Sequence, residues 1–578
     1  TSASITHPEW LPAVRAAVVG AGAGWLLARV LNQLLTWFFA AFNRVFNLTT
    51  DWYVTTVGGM LRVNFLVLGV YGGLLYATWY LFDTTPTGFI PAQDKGYLLV
   101  NVQLPDSASL DRTSEVMRRM EVVLKDTPGI RNTVGIAGQS LLLGANAPNF
   151  GSFYLMLDDF HHRAHDGLSA DVIGAQVKQK LDEQIPEALV NVLGAPPIDG
   201  LGTAGGFKMV IEDRGDNGLA ALQTASQSIV EAGTQTPGLA ALFTSFRADT
   251  PWLFLDVDRD AAKSMGVSIA ELFNTLQTNF GSLYVNDFNR FGRTWQVNVQ
   301  ADAGYRMQVE DLKRLKVRND EGHMVPLAAV ATPRETSGPV MIVRYNLYPS
   351  ATINLNAAPG TSSGQAIDRM RTVADANILP SMRAEWTELA YLQLEAGNTA
   401  MYAFVLAVVL VFLVLAAQYE SWALPLAVIL VVPMCLLCSV AGVQGANLDV
   451  NIFTQIGFVV LVGLACKNAI LIVEFARARH SAGVNRRDAT LEACRLRLRP
   501  IMMTSFAFIL GVVPLMIGQG AGAEMRHTLG TAVFWGMLGV TMFGIFLTPV
   551  FYEIIQAFTD WRTARKAAIE KSEAAPAA

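Results

Sequence analysis

Hydrophobic and polar positions follow two different rhythms along this chain. On the coarse scale, six stretches are almost continuously apolar: about Phe65 to Phe82, Thr399 to Ala417, Trp422 to Val443, Ile452 to Phe475, Pro500 to Ile517 and Leu529 to Ile555. A helix of about 20 predominantly apolar residues crosses the hydrocarbon core of a bilayer, so each stretch is predicted to be a membrane span. The interval from Thr84 to Asn398 has the mixed character of water-soluble protein and is far too long for a loop. The predicted order is one span, one large polar domain, then five spans.

Inside that interval the period shortens. Gly96–Leu104 (GYLLVNVQL) reads as a strand, and the helix after it places Val116, Met120, Val123 and Leu124 on one face. Thr127-Pro128-Gly129 stops the helix, and apolar residues resume. The succession returns with FKMVIED from Phe207, a helix through Leu219, Leu222 and Ile229, then Thr236-Pro237-Gly238 and another strand. Two such passages predict a pair of ferredoxin-like βαβ units. WLFLDVD (252–258), TWQVNVQ (294–300) and MIVRYNL (341–347) add strands. The predicted fold class is a membrane α-helical bundle of about six transmembrane helices with a large α+β domain.

Residues 12–40 fit neither rhythm. VVGAGAGWLL is apolar but closely flanked by Arg15 and Arg29, and LLTWFFAAFNRVF with Arg44 follows. Trp, Phe and Leu beside Arg predict a helix lying in the membrane interface, with an additional span as the alternative.

Charge then fixes the orientation. Between spans four and five lie Arg477, Arg479, Arg486, Arg487, Arg495, Arg497 and Arg499 against Asp488 and Glu492, whereas the connections 444–451 and 518–528 carry only Arg526. The tail adds Arg562, Arg565, Lys566 and Lys571. Short cytoplasmic loops concentrate Lys and Arg, which places the Arg-rich loop and the C-terminus in the cytoplasm and residues 84–398 outside. Lipid or partner binding is the alternative role for these arginines. Composition agrees with a lipid solvent: 52% of the 578 residues are hydrophobic and 16% charged, against about 25% charged in soluble domains. The net charge of −5 argues against a nucleic-acid-binding surface.

Candidate chemistry is sparse. Cys435, Cys438 and Cys466 lie in apolar helical stretches and Cys494 in the basic loop; Cys435 and Cys438 have C-x-x-C spacing without a partner pair and read as small buried apolar residues. His161, His162 and His165 form HHRAH after a strand, in what reads as a solvated loop without an obvious fourth metal ligand. No HExxH, GxSxG or GxxxxGK[ST] string occurs, so neither hydrolysis nor ATP drive has support. Lys467 stands out: it sits within the span 452–475, where a cation costs about 3 kcal/mol, so it should face a bundle interior and a partner. No acid in the neighbouring spans lies at its depth. A lysine reaching along its stem to the interface is the alternative. Arg497 and Thr504 are seven residues apart, on one face of a helix. Glu474, two turns after Lys467, reads as interfacial.

GLACKNAILIVEFA (463–476), RLRPIMMTSFAFILGVVPL (497–515), LAAQYESW (415–422) and GFIPAQDKG (88–96) resemble the C-terminal half of hydrophobe/amphiphile efflux pumps of the resistance–nodulation–division (RND) family. FRADTPWLFLDVDRDAAKSMGVS (246–268) and GSLYVNDFNRFGRTWQVNVQADAGYR (281–306) resemble its docking subdomain. The resemblance covers roughly residues 41 to 560; the Gly/Ala-rich stretch before residue 30 has no counterpart in it. It implies an interfacial segment (1–64), the first transmembrane helix of this half (65–83), a first porter subdomain (84–205), a second in two parts (206–247 and 339–398) around a docking subdomain (248–338), five transmembrane helices (399–560) and a cytoplasmic tail (561–578).

The same resemblance implies function. Family pumps sit in the bacterial inner membrane with a periplasmic domain, work as homotrimers with a periplasmic adaptor and an outer-membrane channel, and export drugs, dyes, solvents and detergents. They are secondary transporters rather than enzymes and need the proton motive force but no cofactor. They have twelve spans in two halves, and the pattern here matches the second. The chain, which starts at Thr1, reads as cut from or processed out of something longer, with the first half and its proton-binding aspartate pair supplied elsewhere. The resemblance puts Lys467, Thr504 and Arg497 in the proton relay. It aligns GQSLLLGANAPNF (138–150) with the substrate-gating loop, and Val134, Ile136, Gln139, Leu141 and Tyr154 with the deep drug pocket, although Gln139 and Leu141 stand where Phe is common in the family. Core packing is the alternative for these five. A metal-ion exporter of the same superfamily would need clustered methionines, but Met117, Met156, Met209, Met265 and Met341 are scattered. A non-transporting binding or assembly module is the remaining alternative.

Overall fold

The computed structural model describes residues 11–397 and 399–573. Residues 1–10 and 574–578, at the ends of the expected interfacial segment and tail, lie outside the described residues. The chain forms two compact units: one of residues up to 93, 360–365 and from 393 onward, the other of residues 94–359 and 366–392.

Among the described residues the first unit contains six helices long and apolar enough to cross a membrane: Asn64–Thr84, Met401–Tyr419, Leu424–Gly445, Ile452–Ser481, Arg486–Ile517 and Ala523–Lys566. Four of the six predicted stretches fall within them, and the stretches from Thr399 and from Trp422 each begin two residues earlier. The third, fourth and sixth are mostly buried and form the centre of the bundle, where Val431, Met434, Leu461, Ala465, Val540 and Phe551 meet. Small residues let these helices approach: a Cβ on Gly442, Gly536 or Gly539 would overlap Trp535, Leu461 and Cys438 respectively.

Prolines lie at several points of this bundle, and a tyrosine answers at two of them. The stretch predicted as one helix from Trp422 to Val443 is broken into Leu424–Ile429 and Val432–Gly445. Helical hydrogen bonding lapses before Pro433, and the Tyr71 hydroxyl donates to the freed carbonyl of Leu430 at 2.6 Å. Pro549 lies inside the last helix and lacks the N–H that would bond Ile545. There the Tyr53 hydroxyl donates to the Ile545 oxygen at 2.7 Å. In lipid each unmatched carbonyl is costly, so both contacts repair the backbone from outside the helix.

One expectation changes here, and the helix expected near the N-terminus is longer than its apolar stretch. The Arg-rich segment is not a loop: Ile452–Ser481 ends and Arg486–Ile517 begins within four residues, so Arg486, Arg487, Arg495, Arg497 and Arg499 are helical and Cys494 is buried. The alternating apolar and basic residues from Leu491 to Leu498 keep a helical face that packs inward. Residues 12–40 belong to one continuous helix, Leu11–Met60, about 75 Å long at 1.5 Å per residue. Arg487 donates to the Gly58 carbonyl at 2.8 Å, Arg495 pairs with Asp51, and Arg499 donates to Asn43 at 3.3 Å.

The second unit is built on two sheets of the same plan. In the first, the order across the sheet is Ile130–Ser140, Ala145–Leu157, Tyr97–Gln103, Leu189–Gly194, all antiparallel. Its helices Leu110–Lys125 and Ala170–Gln184 start at Ser109 and Ser169, whose side chains cap them, and bury Val116, Met120, Leu124, Ile173, Val177 and Leu181. Val123 is only partly buried. The second sheet runs Leu239–Thr244, Tyr348–Ala357, Phe207–Asp213, Met382–Thr387. Each sheet is therefore strand–helix–strand–strand–helix–strand in chain order. The second is split by residues 245–347, which hold a small core of Ala262, Val267, Leu272, Val317, Leu327 and Val330.

MIVRYNL is a strand only over Val343–Tyr345. Asn346 and Leu347 have φ of 48° and 72° and form the tight turn into Tyr348–Ala357, the longer strand that the apolar run concealed. HHRAH is likewise a short helix, Phe160–His165, rather than a loop. Its Arg163 is 3% exposed and grips Asp94 through two bonds of 2.7 and 3.1 Å, while its Nε donates to the Asp158 carbonyl at 2.8 Å. Burial pushes the Asp94 carboxyl up, but bonds from Arg163, Gly96 and Ala170 outweigh it and hold it below its ordinary value.

Candidate functional site

Two places gather polar groups that the chain itself does not satisfy. The first surrounds Lys467, midway along Ile452–Ser481. The residues on either side point inward: Ala465, Cys466, Asn468 and Ala469 are buried. Lys467 is exposed on the surface of this bundle, not turned into its interior as its charge led us to expect. The interior here is lined with neutral groups and offers an ammonium no carboxylate. Its Nζ instead lies 5.1 Å from the centre of the Phe508 ring. A cation–π contact supplies about 0.5–2 kcal/mol, less than the roughly 3 kcal/mol of placing the charge at mid-membrane. Among the described residues no carboxylate pairs with it.

The facing helix carries the other two predicted relay residues. Asn468 Nδ2 donates to Ser505 Oγ at 3.1 Å across a buried contact, locking the lysine helix to Arg486–Ile517 beside Thr504. The Thr504 hydroxyl donates to the Ile501 carbonyl at 3.0 Å and is half-buried. Two turns earlier, the Arg497 guanidinium lies 5.0 Å from the Phe475 ring centre, with its Nε buried and unpartnered. Glu474 is exposed. The Asn468–Ser505 bond escaped sequence reading because either residue alone looks like any small polar residue of an apolar helix. The arrangement presents a fixed mid-span cation, a hydroxyl on the adjoining helix and a second cation near the helix end.

The second place is a cavity of about 160 Å³ in the α/β unit. Leu142, Leu143, Phe150, Phe246, Val340 and Met341 give it apolar walls, and Gln103, Asp106, Ser245, Arg247 and Thr250 belong to its polar lining. Gln103 Oε1, Ser245 Oγ and Thr250 Oγ1 are buried with no hydrogen-bond partner in the protein. An unpaired buried polar atom costs about 1–3 kcal/mol, so three in one cavity mark a place built to receive something polar.

None of the five residues predicted for substrate contact lines this cavity. Leu141 and Tyr154 are partly buried against Leu99, Leu193 and Phe243. Val134 is exposed and stands opposite Tyr154 in the hairpin, while Ile136 stands opposite Ser152. The Gln139 carbonyl accepts from Ser152 Oγ at 2.8 Å. The predicted gating loop is mostly this hairpin, with only residues 141–144 as its turn; Leu142 and Leu143 of that turn reach the cavity. The cavity residues are scattered from 103 to 354 in the chain and share no local pattern that a sequence scan detects.

A family model described as the AcrB/AcrD/AcrF family matches residues 14–556. The toluene efflux pump membrane transporter TtgB of Pseudomonas putida is 37% identical over 522 residues, covering 90% of this chain and 49% of that protein. The multidrug export protein AcrF of Escherichia coli is 36% identical over 523 residues, covering 90% and 50%. The multidrug resistance protein MdtF of Escherichia coli is 34% identical over 524 residues, covering 90% and 50%. The chain spans about half the length of the curated relatives it matches.

Proposed function

The chain belongs to the AcrB/AcrD/AcrF family, and on that footing we propose that it is the C-terminal half of an RND pump that exports amphiphilic small molecules by proton antiport. Relatives named for toluene, multidrug and solvent efflux support the substrate class. The α/β unit is the periplasmic part, its two sheets being ferredoxin-like porter subdomains with the docking subdomain inserted in the second. The helical unit sits in the bacterial inner membrane, with Leu11–Met60 along its cytoplasmic face. The working assembly is a homotrimer joined to a periplasmic adaptor and an outer-membrane channel.

The observation that carries this reading is Lys467: a mid-span cation on the outside of its own bundle that, among the described residues, has an aromatic ring and no carboxylate beside it. It calls for carboxylates from a second half. A neighbouring cation favours ionised carboxylates, and its withdrawal raises their pKa, so the two arrangements bind and release protons. Thr504 and Arg497 line the proton's route, and Val134, Ile136, Gln139, Leu141 and Tyr154 contact substrate on the porter side.

Dye efflux from cells expressing the chain with a complementary six-span half tests this. Efflux is expected to stop when a protonophore collapses the proton gradient and to survive ATP depletion while the gradient is held. Efflux that persists without the gradient would refute proton antiport.

A further inference from the structure

The cavity holds two opposite charges that do not meet. Asp106 follows the strand Tyr97–Gln103 by three residues, and Arg247 follows the strand Leu239–Thr244 by the same interval. Both line the cavity, yet no N–O approach within ion-pair distance joins them. Each is held in part by a neighbour. Asp106 Oδ1 accepts a long 3.4 Å bond from Asn149 Nδ2, and Arg247 Nη1 donates to the adjacent Phe246 carbonyl at 2.9 Å.

The other charge in the lining is already spent. Lys208 Nζ pairs with Glu388 at 3.0 Å, both half-buried, which removes it as a pole for a ligand. The three unpartnered atoms are more discriminating. Gln103 Oε1, on a side chain 6% exposed, can only accept, so it asks for a donor. The hydroxyls of Ser245 and Thr250, 5% and 7% exposed, serve either role. The donor-seeking groups Gln103 and Asp106 come from one side of the chain's order, and Arg247, the acceptor-seeking group, from the other. Phe150 and Phe246 supply aromatic wall for an apolar body.

We infer that Asp106 and Arg247 make this cavity selective for zwitterionic amphiphiles, Asp106 taking a ligand's ammonium with Gln103 and Arg247 taking its carboxylate. The inference rests on the export reading and narrows its substrate class. A purely apolar solvent would leave all three buried polar atoms and both charges unpaired, and a singly charged amphiphile would leave one pole open. Burial pushes the Asp106 carboxyl up, with Arg247 opposing and Asp249 adding to the rise, as suits a group that gains from a bound cation.

The test is direct binding to the full chain in lipid nanodiscs, read by fluorescence anisotropy. Four probes share one naphthalene body: one carries an alkylammonium and a carboxylate, one the ammonium alone, one the carboxylate alone, and one neither. The zwitterion is expected to bind at least tenfold tighter than the neutral probe. Asp106→Asn should weaken the two ammonium probes about tenfold and spare the carboxylate-only probe. Arg247→Gln should weaken the two carboxylate probes about tenfold and spare the ammonium-only one. Equal binding of all four probes, unchanged by either variant, overturns the selectivity while leaving an amphiphile cavity in place. Failure of every probe to bind overturns the cavity as a substrate site and the selectivity with it.

Discussion

Arg163 and Lys467 are both long cations taken out of bulk water, and the protein treats them in opposite ways. Arg163 lies in a six-residue helix of the α/β unit, 3% exposed, with Asp94 bonded twice and the Asp158 and Leu168 carbonyls bonded once each. Lys467 lies at mid-span with one aromatic contact and no ion pair among the described residues. A structural charge is closed by its own chain because an unpaired buried ion is among the costliest defects a fold can carry. A charge left open by its chain points to a partner that comes and goes. The contrast separates a group that holds the fold from one that the proposed antiport pairs with a group outside the chain.

The largest effect expected from breaking this contrast is on the Arg163 side. Arg163→Met leaves Asp94 ionised and half-enclosed, and should cost the α/β unit about 3–5 kcal/mol. Hydrogen–deuterium exchange of the strand Tyr97–Gln103 in the full chain should then rise by orders of magnitude; unchanged protection would show the pair to be dispensable.

Acid should dissolve the same contact more gently. Because the folded Asp94 carboxyl lies below its ordinary value of 3.8, its contribution is fully present above that value and is lost as pH falls through the lower folded value. Protection of Tyr97–Gln103 should therefore drop as pH is lowered below about 4, and Asp94→Asn should flatten that part of the profile. A wild-type profile in Asp94→Asn would assign the acid sensitivity elsewhere.

Smaller still are the tyrosine repairs in the bundle. Tyr53→Phe and Tyr71→Phe each leave a helix carbonyl unmatched, at about 1–2 kcal/mol. Each should lower the thermal unfolding temperature of the nanodisc-embedded chain by a few degrees, and the two should add, since they serve different prolines. At the bottom of the scale, Lys467→Ala should change the unfolding temperature by less than either tyrosine variant, having no ion pair to lose.

Much of this was legible along the chain, for physical reasons that differ by region. Bundle helices announced themselves because lipid demands long unbroken apolar runs; four of the six stretches fall within observed spans, and the other two begin two residues before theirs. The two sheets were half-legible: Thr127-Pro128-Gly129 and Thr236-Pro237-Gly238 gave the repeat away, while Tyr348–Ala357 was hidden because Asn346 and Leu347 turn in the middle of an apolar-looking run. The Arg-rich helix read as a loop because charge was weighed over periodicity. Lys467 was conspicuous as a charge in an apolar run, but its outward direction was not, since a helix that is apolar all round gives no sign of which face its neighbours cover. The cavity was invisible, because Gln103, Asp106, Ser245, Arg247 and Thr250 become neighbours only through the pairing of distant strands.

The most direct test of the central claim is export by Lys467→Ala in the assembled pump. The measurement is dye efflux from cells expressing this chain with its complementary half, normalised to the amount of each in the membrane fraction. On the proposed antiport, removing the ammonium would free carboxylates of the second half to repel one another and hold a proton at neutral pH, so that protonation would no longer switch the pump. Efflux is expected to fall to the level of cells without the pump while the membrane-inserted chain stays at wild-type amount. Near wild-type efflux from Lys467→Ala would contradict the reading of this lysine as the switchable partner of a second half.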